Sequence, residues 1–331
     1  MRKNFKNLGG YGMIGFLGLG LLVGFWPGTQ PAQAAEISFP TKPVVVFNSS
    51  PAGSPADVMA RQVAQYAKKF LGQPMVIVTK PGGSGGVMFA ALLAEPADGY
   101  TLSTATAALV TSLQGELKKQ FSFNDLDFIA NVQREPFAMA VRSDSPFKTL
   151  GDMIEYAKKN PRLKIGGQGT GSSQHLMALA LAEEAGIRIS WLPLGGGAEI
   201  IPSLLGGHVP VAETAPASAN PYVESGKIRI LAVSGDQRVP HWKEIPTFKE
   251  LGFNVVVTQY RGFAAKKGLP PVVKAKLADA IKSAVAEPGF KEYMAKNNMP
   301  DAYMGPEEFS AMARADFDLM GKLMQKVEHK K

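Results

Sequence analysis

The sequence contains no cysteine and only four histidines in 331 residues. Without thiols there is no disulfide framework and no thiolate metal site, and an exported form would carry no N-terminal cysteine for a lipid anchor. His175, His208, His241 and His329 are far apart, and none has a partner at i, i+4, so metal ligation has little to build on. Low-complexity tracts and short-period repeats are also missing, as is any apolar run beyond residue 34 long enough to span a bilayer. Lysine and arginine do not cluster. Pairs such as Lys68-Lys69, Lys118-Lys119 and Lys266-Lys267 are scattered, without the aromatic-flanked basic patch of a nucleic-acid binder, so nucleic acid is not an expected partner.

What is present first is an export signal. Arg2, Lys3 and Lys6 make a basic start, Met13 to Phe25 is an apolar run, and Ala32-Gln33-Ala34 supplies small residues for a signal peptidase. The run is too short to cross a hydrocarbon core that needs about 20 residues. Residues 1–34 are therefore expected to be cleaved between Ala34 and Ala35, leaving a soluble periplasmic protein of about 297 residues, enough for two domains. The net charge is +8, and the signal holds three basic residues and no acidic one, which leaves a mild +5 that favours anionic small ligands.

Short apolar, β-branched runs alternate with helical patterns along the mature chain, the mark of a parallel α/β architecture. Strands are expected at Val44 to Phe47, Met75 to Thr79, Tyr100 to Thr104, Phe128 to Val132, Ala138 to Val141 and Leu163 to Ile165, then at Ile189 to Leu192, Val209 to Ala212 and Ile228 to Ser234. Met59, Val63, Tyr66 and Phe70 recur at helical spacing before Gly72, a natural stop. A helix is expected from Ser173 to Ala185, closed by Gly186. Val273, Leu277, Ile281 and Ala284 share one helical face. Pro306 opens a last helix lined by Phe309, Ala313, Phe317, Met320 and Met324, all read as core.

Three loops repeat one design, in which a strand ends, small and hydroxyl residues follow, and a helix begins. They are Asn48-Ser49-Ser50-Pro51-Ala52-Gly53-Ser54, Pro81-Gly82-Gly83-Ser84-Gly85-Gly86 and Gly169-Thr170-Gly171-Ser172-Ser173. Ligands of open α/β sheets bind at the carboxyl ends of strands, where glycine lets backbone N–H groups approach and each helix turns its positive end toward the site. An anion is the expected guest, and carboxylate and phosphate both satisfy the chemistry. Taken singly, each loop also fits tight turns and Ser/Thr helix caps.

Gly82-Gly83-Ser84-Gly85-Gly86 matches the G-x-S-x-G of a nucleophile elbow, so an exported hydrolase using Ser84 stands as an alternative. Against it, one strand only precedes the strand leading to Ser84, and nothing in the sequence pairs a histidine with it. Neither glycine-rich loop continues into Gly-Lys-Ser/Thr, and Ser172 stands where G-x-G-x-x-G needs its last glycine, so no nucleotide cofactor is expected. His175 is a capping or pocket donor, or a structural histidine.

These loops resemble those of the solute-binding proteins of tripartite tricarboxylate transporters, the Bug family. Pro51-Ala52-Gly53-Ser54-Pro55-Ala56-Asp57 with Ala60-Arg61 is similar to that family's first-loop motif, with Ser54 in place of a glycine. Lys80 to Gly86, followed by Pro96-Ala97-Asp98-Gly99-Tyr100-Thr101-Leu102, matches the second loop and its closing signature. Gly169 to Leu176, Leu204-Leu205-Gly206-Gly207-His208-Val209, Gly226 to Val233 and Ile245-Pro246-Thr247 continue the likeness over essentially the whole mature chain. One segment departs: Pro210 and Glu213-Thr214 stand where the family often has Asp and a Phe-Asp pair.

The resemblance implies an α/β, two-lobed periplasmic binding protein of type II-like architecture, each lobe a sheet flanked by helices, with the ligand cleft between lobes. Lobe 1 is expected to comprise 35–136 and 257–331, and lobe 2 to comprise 137–256. The expected function is capture of a small organic carboxylate by a monomeric, non-enzymatic receptor and its delivery to the membrane subunits of the transporter. A receptor serving a membrane sensor is the other reading. The candidate ligand-binding residues are Ser49, Ser50, Gly53, Ser54, Gly82, Gly83, Ser84, Gly85 and Thr104 from the first lobe, and Thr170, Gly171, Ser172, Ser173, His175 and Thr214 from the second. Tyr260 and Arg261 join them where the chain returns. Arg261 would pair either with a second ligand carboxylate or with a carboxylate of the protein.

Overall fold

The computed structural model describes residues 38–195, 197–297 and 299–328, and the proposed signal with its cleavage point lies outside them. The first sheet is built from β1 (Val44–Asn48), β2 (Met75–Thr79), β3 (Thr101–Thr106), β4 (Leu126–Pro136) and β10 (Thr258–Lys266), in the order β2-β1-β3-β10-β4. The second is built from β5 (Ala138–Arg142), β6 (Leu163–Gln168), β7 (Ile189–Leu194), β8 (Val211–Thr214) and β9 (Ile228–Val233), in the order β7-β6-β8-β5-β9. Each sheet has three neighbouring parallel strands followed by two antiparallel pairings. The expected parallel βα units are present in both sheets, and the antiparallel pairings make each sheet mixed. The antiparallel strand of the first sheet, β10, is the one that brings the chain back from the second.

The helices are α1 (Pro55–Leu71), α2 (Gly86–Ala94), α3 (Ala107–Gln114), α4 (Leu150–Lys159), α5 (Ser173–Glu184), α6 (Gly197–Leu205), α7 (Pro216–Glu224), α8 (Pro271–Ala286), α9 (Pro288–Lys296) and α10 (Pro306–Glu328). On one face of the first sheet, Val44 and Val46 pack with Met59 and Val63 of α1 and Leu277 and Ile281 of α8. On the other, Phe89 of α2, Leu113 of α3 and Phe309 of α10 cover Phe47, Phe128 and Tyr260. The second sheet is likewise covered by α4 and α5 on one face and by α6 and α7 on the other. Each sheet with its helices makes a lobe with two hydrophobic layers, the architecture that apolar strands buried on both faces require.

Two segments cross between the lobes. β4 runs into β5 with only Phe137 between them, and β10 returns antiparallel to β4, Thr258 opposite Pro136. Ser234 ties the two crossings together: its N–H donates to the Phe137 carbonyl at 2.9 Å, its Oγ accepts from the Phe137 N–H at 2.9 Å, and the same Oγ donates to the Val257 carbonyl. Helix α10 also spans the lobes, with Phe309 and Ala313 in a core of the first and Met320 and Leu323 in a core of the second. β3 begins one residue later than expected and β8 two. β8 starts at Val211 because Pro210 has no N–H to give the ladder, and the shift sets Thr214 at the strand's carboxyl end.

Candidate functional site

The first βα loop is locked by its own motif. Gly53 has φ 79°, a conformation that favours glycine, and its N–H donates to Asp57 Oδ2 at 2.9 Å. Arg61 Nε donates to the same oxygen at 2.9 Å, and this contact, helped by the Gly53 N–H, holds the Asp57 carboxyl below its usual range against the opposing effect of burial. Ser54 caps α1, its Oγ accepting from the Asp57 N–H, and Pro55 follows in the first turn, where a missing N–H costs nothing. Beneath the loop, Asn48 Oδ1 accepts from the Ser50 N–H at 3.3 Å and from Thr104 Oγ1 at 3.0 Å. Asp57, Asn48 and Thr104 are therefore scaffolding that holds Ser50 and Ser54 in position.

The third loop has the same logic. Ser172 caps α5 by accepting from the His175 N–H at 3.2 Å and donates from its Oγ to the Gln168 carbonyl at 2.6 Å. Gly171, at φ 82°, donates its N–H to His175 Nδ1 at 3.1 Å, while the imidazole stacks on Trp191 with ring centroids 4.8 Å apart. Gln168 and Gln174 close the turn, the Gln168 N–H donating to Gln174 Oε1 at 2.7 Å.

A cavity of about 590 Å³ lies between the lobes, and residues from both sheets line it. The first lobe contributes Ser50, Ser54, Pro55 and Ala56 at the start of α1, and Thr106, Ala108, Thr111 and Ser112 along α3. The second contributes the stretch from Gln168 to Gln174 at the start of α5, Thr214, Ala215 and Ser218 at the start of α7, and Ile200. The floor is Phe137 with Glu135, Gln259 and Arg261 of the crossing strands. Four helices, α1, α3, α5 and α7, thus turn their first residues toward one space. The dipoles of all four favour negative charge there, although Pro55 and Pro216 bring no N–H and the caps Ser54, Thr106 and Ser172 already accept from one N–H each.

Of the residues singled out from sequence, the structure brings Ser50, Ser54, Thr170, Gly171, Ser172, Ser173, Thr214 and Arg261 to this cavity. Ser49, Gly53, Gly82, Gly83, Ser84, Gly85, Thr104, His175 and Tyr260 do not line it. Gly82, Gly83, Ser84 and Gly85 form a run of positive φ, and the loop turns toward α3: a Cβ on Gly85 would lie 3.0 Å from Leu109 Cδ1 and 3.7 Å from Ser49 Cβ. Ser84 Oγ donates to the Glu116 carboxylate. His175 is held against Trp191 behind its loop.

Tyr260 is corrected by strand geometry. Consecutive side chains of a strand point to opposite faces, so with Arg261 in the cavity Tyr260 must face the core. There it packs edge-on against Phe309 at 5.6 Å, its hydroxyl has no hydrogen-bond partner among the described residues, and burial pushes the phenol well above its ordinary range. The same alternation on β8 puts Thr214 in the cavity and Glu213 behind the sheet. Glu213 is fully buried with neither oxygen bonded among the described residues, and desolvation raises it well above the carboxylate range.

Glu135 and Arg261 are the charged side chains among the described residues lining the cavity. Arg261 Nη2 lies 3.3 Å from Glu135 Oε2, and its Nη1 donates to Gln133 Oε1 at 3.5 Å. The guanidinium therefore serves a carboxylate of the protein. Sequence reasoning misses Glu135 and Gln259 altogether, because only the β4–β10 register brings them beside Arg261. Thr106 is missed too, although a Thr closing a strand just before the apolar stretch Ala107 to Val110 has the signature of an N-cap. Among the described residues no group of three or more His, Asp or Glu is placed to hold a metal, and no helix is long and apolar enough to cross a membrane.

The fold and sequence have clear relatives. A Cupriavidus necator protein described as a UPF0065 protein in the gbd 5' region is 38% identical over 287 residues, covering 86% of this chain and 87% of that one. A crystal structure of a TctC solute-binding protein from Polaromonas, solved without ligand, superposes with a TM-score of 0.82 at 30% identity, over 87% of this chain and 99% of that one. An R. palustris protein solved with adipate shares the fold at a TM-score of 0.67 and 23% identity, over 87% and 97% of the two chains. The model of the TctC family, described as the tripartite tricarboxylate transporter family receptor, matches residues 59–328. The chain belongs to this family of two-lobed receptors.

Proposed function

We propose that this protein is a periplasmic receptor that captures a small organic carboxylate between its lobes, closes over it by hinge motion and delivers it to the membrane subunits of a tripartite tricarboxylate-type transporter. The observation that carries this reading is the convergence of the first turns of α1, α3, α5 and α7 on one cavity of about 590 Å³. Helix N-termini arranged in this way hold an anion through backbone N–H groups and need no cationic side chain in direct contact. The adipate bound by the R. palustris relative supports a carboxylate over a phosphate.

In this reading residues 1–34 are the export signal, and the lobes are 35–136 with 257–331 and 137–256. The crossings at Pro136–Ala138 and Val257–Thr258 are the hinge, and α10 rides over both lobes. Ser50, Ser54 and Thr106 meet the ligand from one side, and Thr170, Ser173 and Thr214 from the other. A thermal-shift screen of the mature protein against mono-, di- and tricarboxylates, aromatic acids and amino acids tests it. A ligand at 100 times its dissociation constant stabilises by about 2.7 kcal/mol. A clear shift with at least one carboxylate and none with inorganic phosphate is the expected result, and silence toward every acid would end the carboxylate assignment.

A further inference from the structure

The cleft is lined for hydrogen bonds more than for apolar contact. Side chains bearing a hydroxyl or an amide outnumber the apolar ones, and among the described residues of the lining only Phe137 and Ile200 are apolar side chains larger than proline. Two of the hydroxyls have already given their hydrogen to the protein. Thr111 Oγ1 donates to the Ala107 carbonyl and Ser112 Oγ to the Ala108 carbonyl, both at 2.9 Å, so what each presents to the cleft is oxygen lone pairs. At the floor, Glu135 Oε2 accepts from Arg261 Nη2 at 3.3 Å, whereas Glu135 Oε1 accepts no hydrogen bond among the described residues. Arg261 is engaged by Glu135 and by Gln133 Oε1 and still keeps N–H groups to spare. The pair is neutral as a whole, and it sets an acceptor in want of a donor beside donors in want of an acceptor.

Each kind of ligand tail meets this lining differently. An alkyl tail displaces water from these oxygens and returns nothing, and acceptors left unpaired in this way are what make a hydrogen-bonding site reject an analogue without the hydroxyl. A second carboxylate can accept from Arg261 but has no hydrogen for Glu135 Oε1, Thr111 or Ser112, and it adds a negative charge to a neutral floor. An ammonium group can donate to these oxygens but accepts nothing from Arg261, and it adds a positive charge where the dipoles of the surrounding helices favour a negative one. A hydroxyl donates and accepts without changing the charge. One hydroxyl can take an N–H of Arg261 and give its hydrogen to Glu135 Oε1, and others along the tail can give theirs to Thr111 and Ser112, while a single carboxylate lies at the helix N-termini.

Resting on the carboxylate-receptor reading, we infer that this cleft takes a polyhydroxylated monocarboxylic acid, of the aldonic-acid class, in preference to unsubstituted monoacids, diacids and ω-amino acids, and that Thr111 is one of the residues that set the preference. The experiment is calorimetric titration of the mature protein with two sets of acids matched in chain length. Gluconate, hexanoate, adipate and 6-aminohexanoate form the longer set, and threonate, butanoate, succinate and 4-aminobutanoate the shorter. In the set that binds better, the hydroxylated acid should bind at least about tenfold tighter than each of the other three. Thr111→Val, which keeps the shape and removes the oxygen, should weaken the hydroxylated acid by about fivefold to tenfold and leave the unsubstituted monoacid unchanged. If the variant does not fold, the wild-type order alone decides. Three results overturn the inference and leave the carboxylate receptor standing: a preference below tenfold over any of the other three acids, an unchanged affinity for the hydroxylated acid in folded Thr111→Val, or recognition of another carboxylate in the thermal-shift screen with neither set bound. Failure of every carboxylate to bind overturns both.

Discussion

Adjacent serines in the third loop separate a capping role from a ligand-binding one. Ser172 is committed to the protein, accepting from the His175 N–H and donating to the Gln168 carbonyl. Ser173, the first residue of α5, is buried at 7% exposure, lines the cavity and makes no side-chain hydrogen bond among the described residues. Replacing an N-cap serine by alanine costs about 1 kcal/mol, and losing the second bond adds roughly as much. Ser172→Ala should therefore lower Tm by about 4 °C in differential scanning calorimetry of the unliganded protein. Ser173→Ala removes nothing the free protein uses, so its unliganded Tm should stay close to that of the wild type. Its lost donor to a charged ligand is worth about 1.5–3 kcal/mol, which is roughly a 10- to 150-fold weaker Kd by calorimetric titration with the carboxylate found in the screen. A Ser173→Ala protein that binds normally, or one destabilised as much as Ser172→Ala, would refute the assignment of roles.

The remaining predictions concern buried groups near the crossing strands. Tyr260→Phe deletes a buried hydroxyl without a partner and should raise stability by about 1 kcal/mol in urea unfolding while leaving ligand affinity unchanged; weaker binding would return Tyr260 to the site. Asp316 on α10 is pushed up to about 7 by burial, with Arg134 opposing the shift. The native state thus keeps a proton that the unfolded chain gives up near 3.8, so this group's contribution to stability falls as pH rises from about 4 toward 7. Asp316→Asn should melt higher than the wild type at pH 8, with the difference shrinking at pH 5, and a pH-independent difference would contradict the shift. N-terminal sequencing of the exported protein should begin at Ala35, and retention of residues 1–34 would contradict cleavage.

The local units of this fold are legible in the sequence because their information is local. Ser54 and Ser172 announce α1 and α5 as caps, Gly72 and Gly186 close them with positive φ, and the apolar runs at Val44 and Met75 need no distant partner to be read as strands. The short helices α3 and α7 escape notice because neither has an amphipathic stripe long enough to show a period, yet they are two of the four helices whose first turns face the cleft. The glycine-rich loop at Gly82 to Gly85 shows the opposite limit. Its composition is legible, but which way it faces depends on Leu109, 24 residues further on. The floor of the cleft lies furthest from local reading, since Glu135 and Arg261 are 126 positions apart and meet only through the antiparallel register of β4 and β10. That register also decides which of two neighbouring residues, Tyr260 or Arg261, can reach a ligand. In the proposed function the walls, built by local loop motifs, hold the anion, whereas the floor, built by long-range pairing, sets what charge the rest of the ligand meets. Relatives that keep the loops but change the crossing strands should therefore bind acids of different charge with the same carboxylate grip.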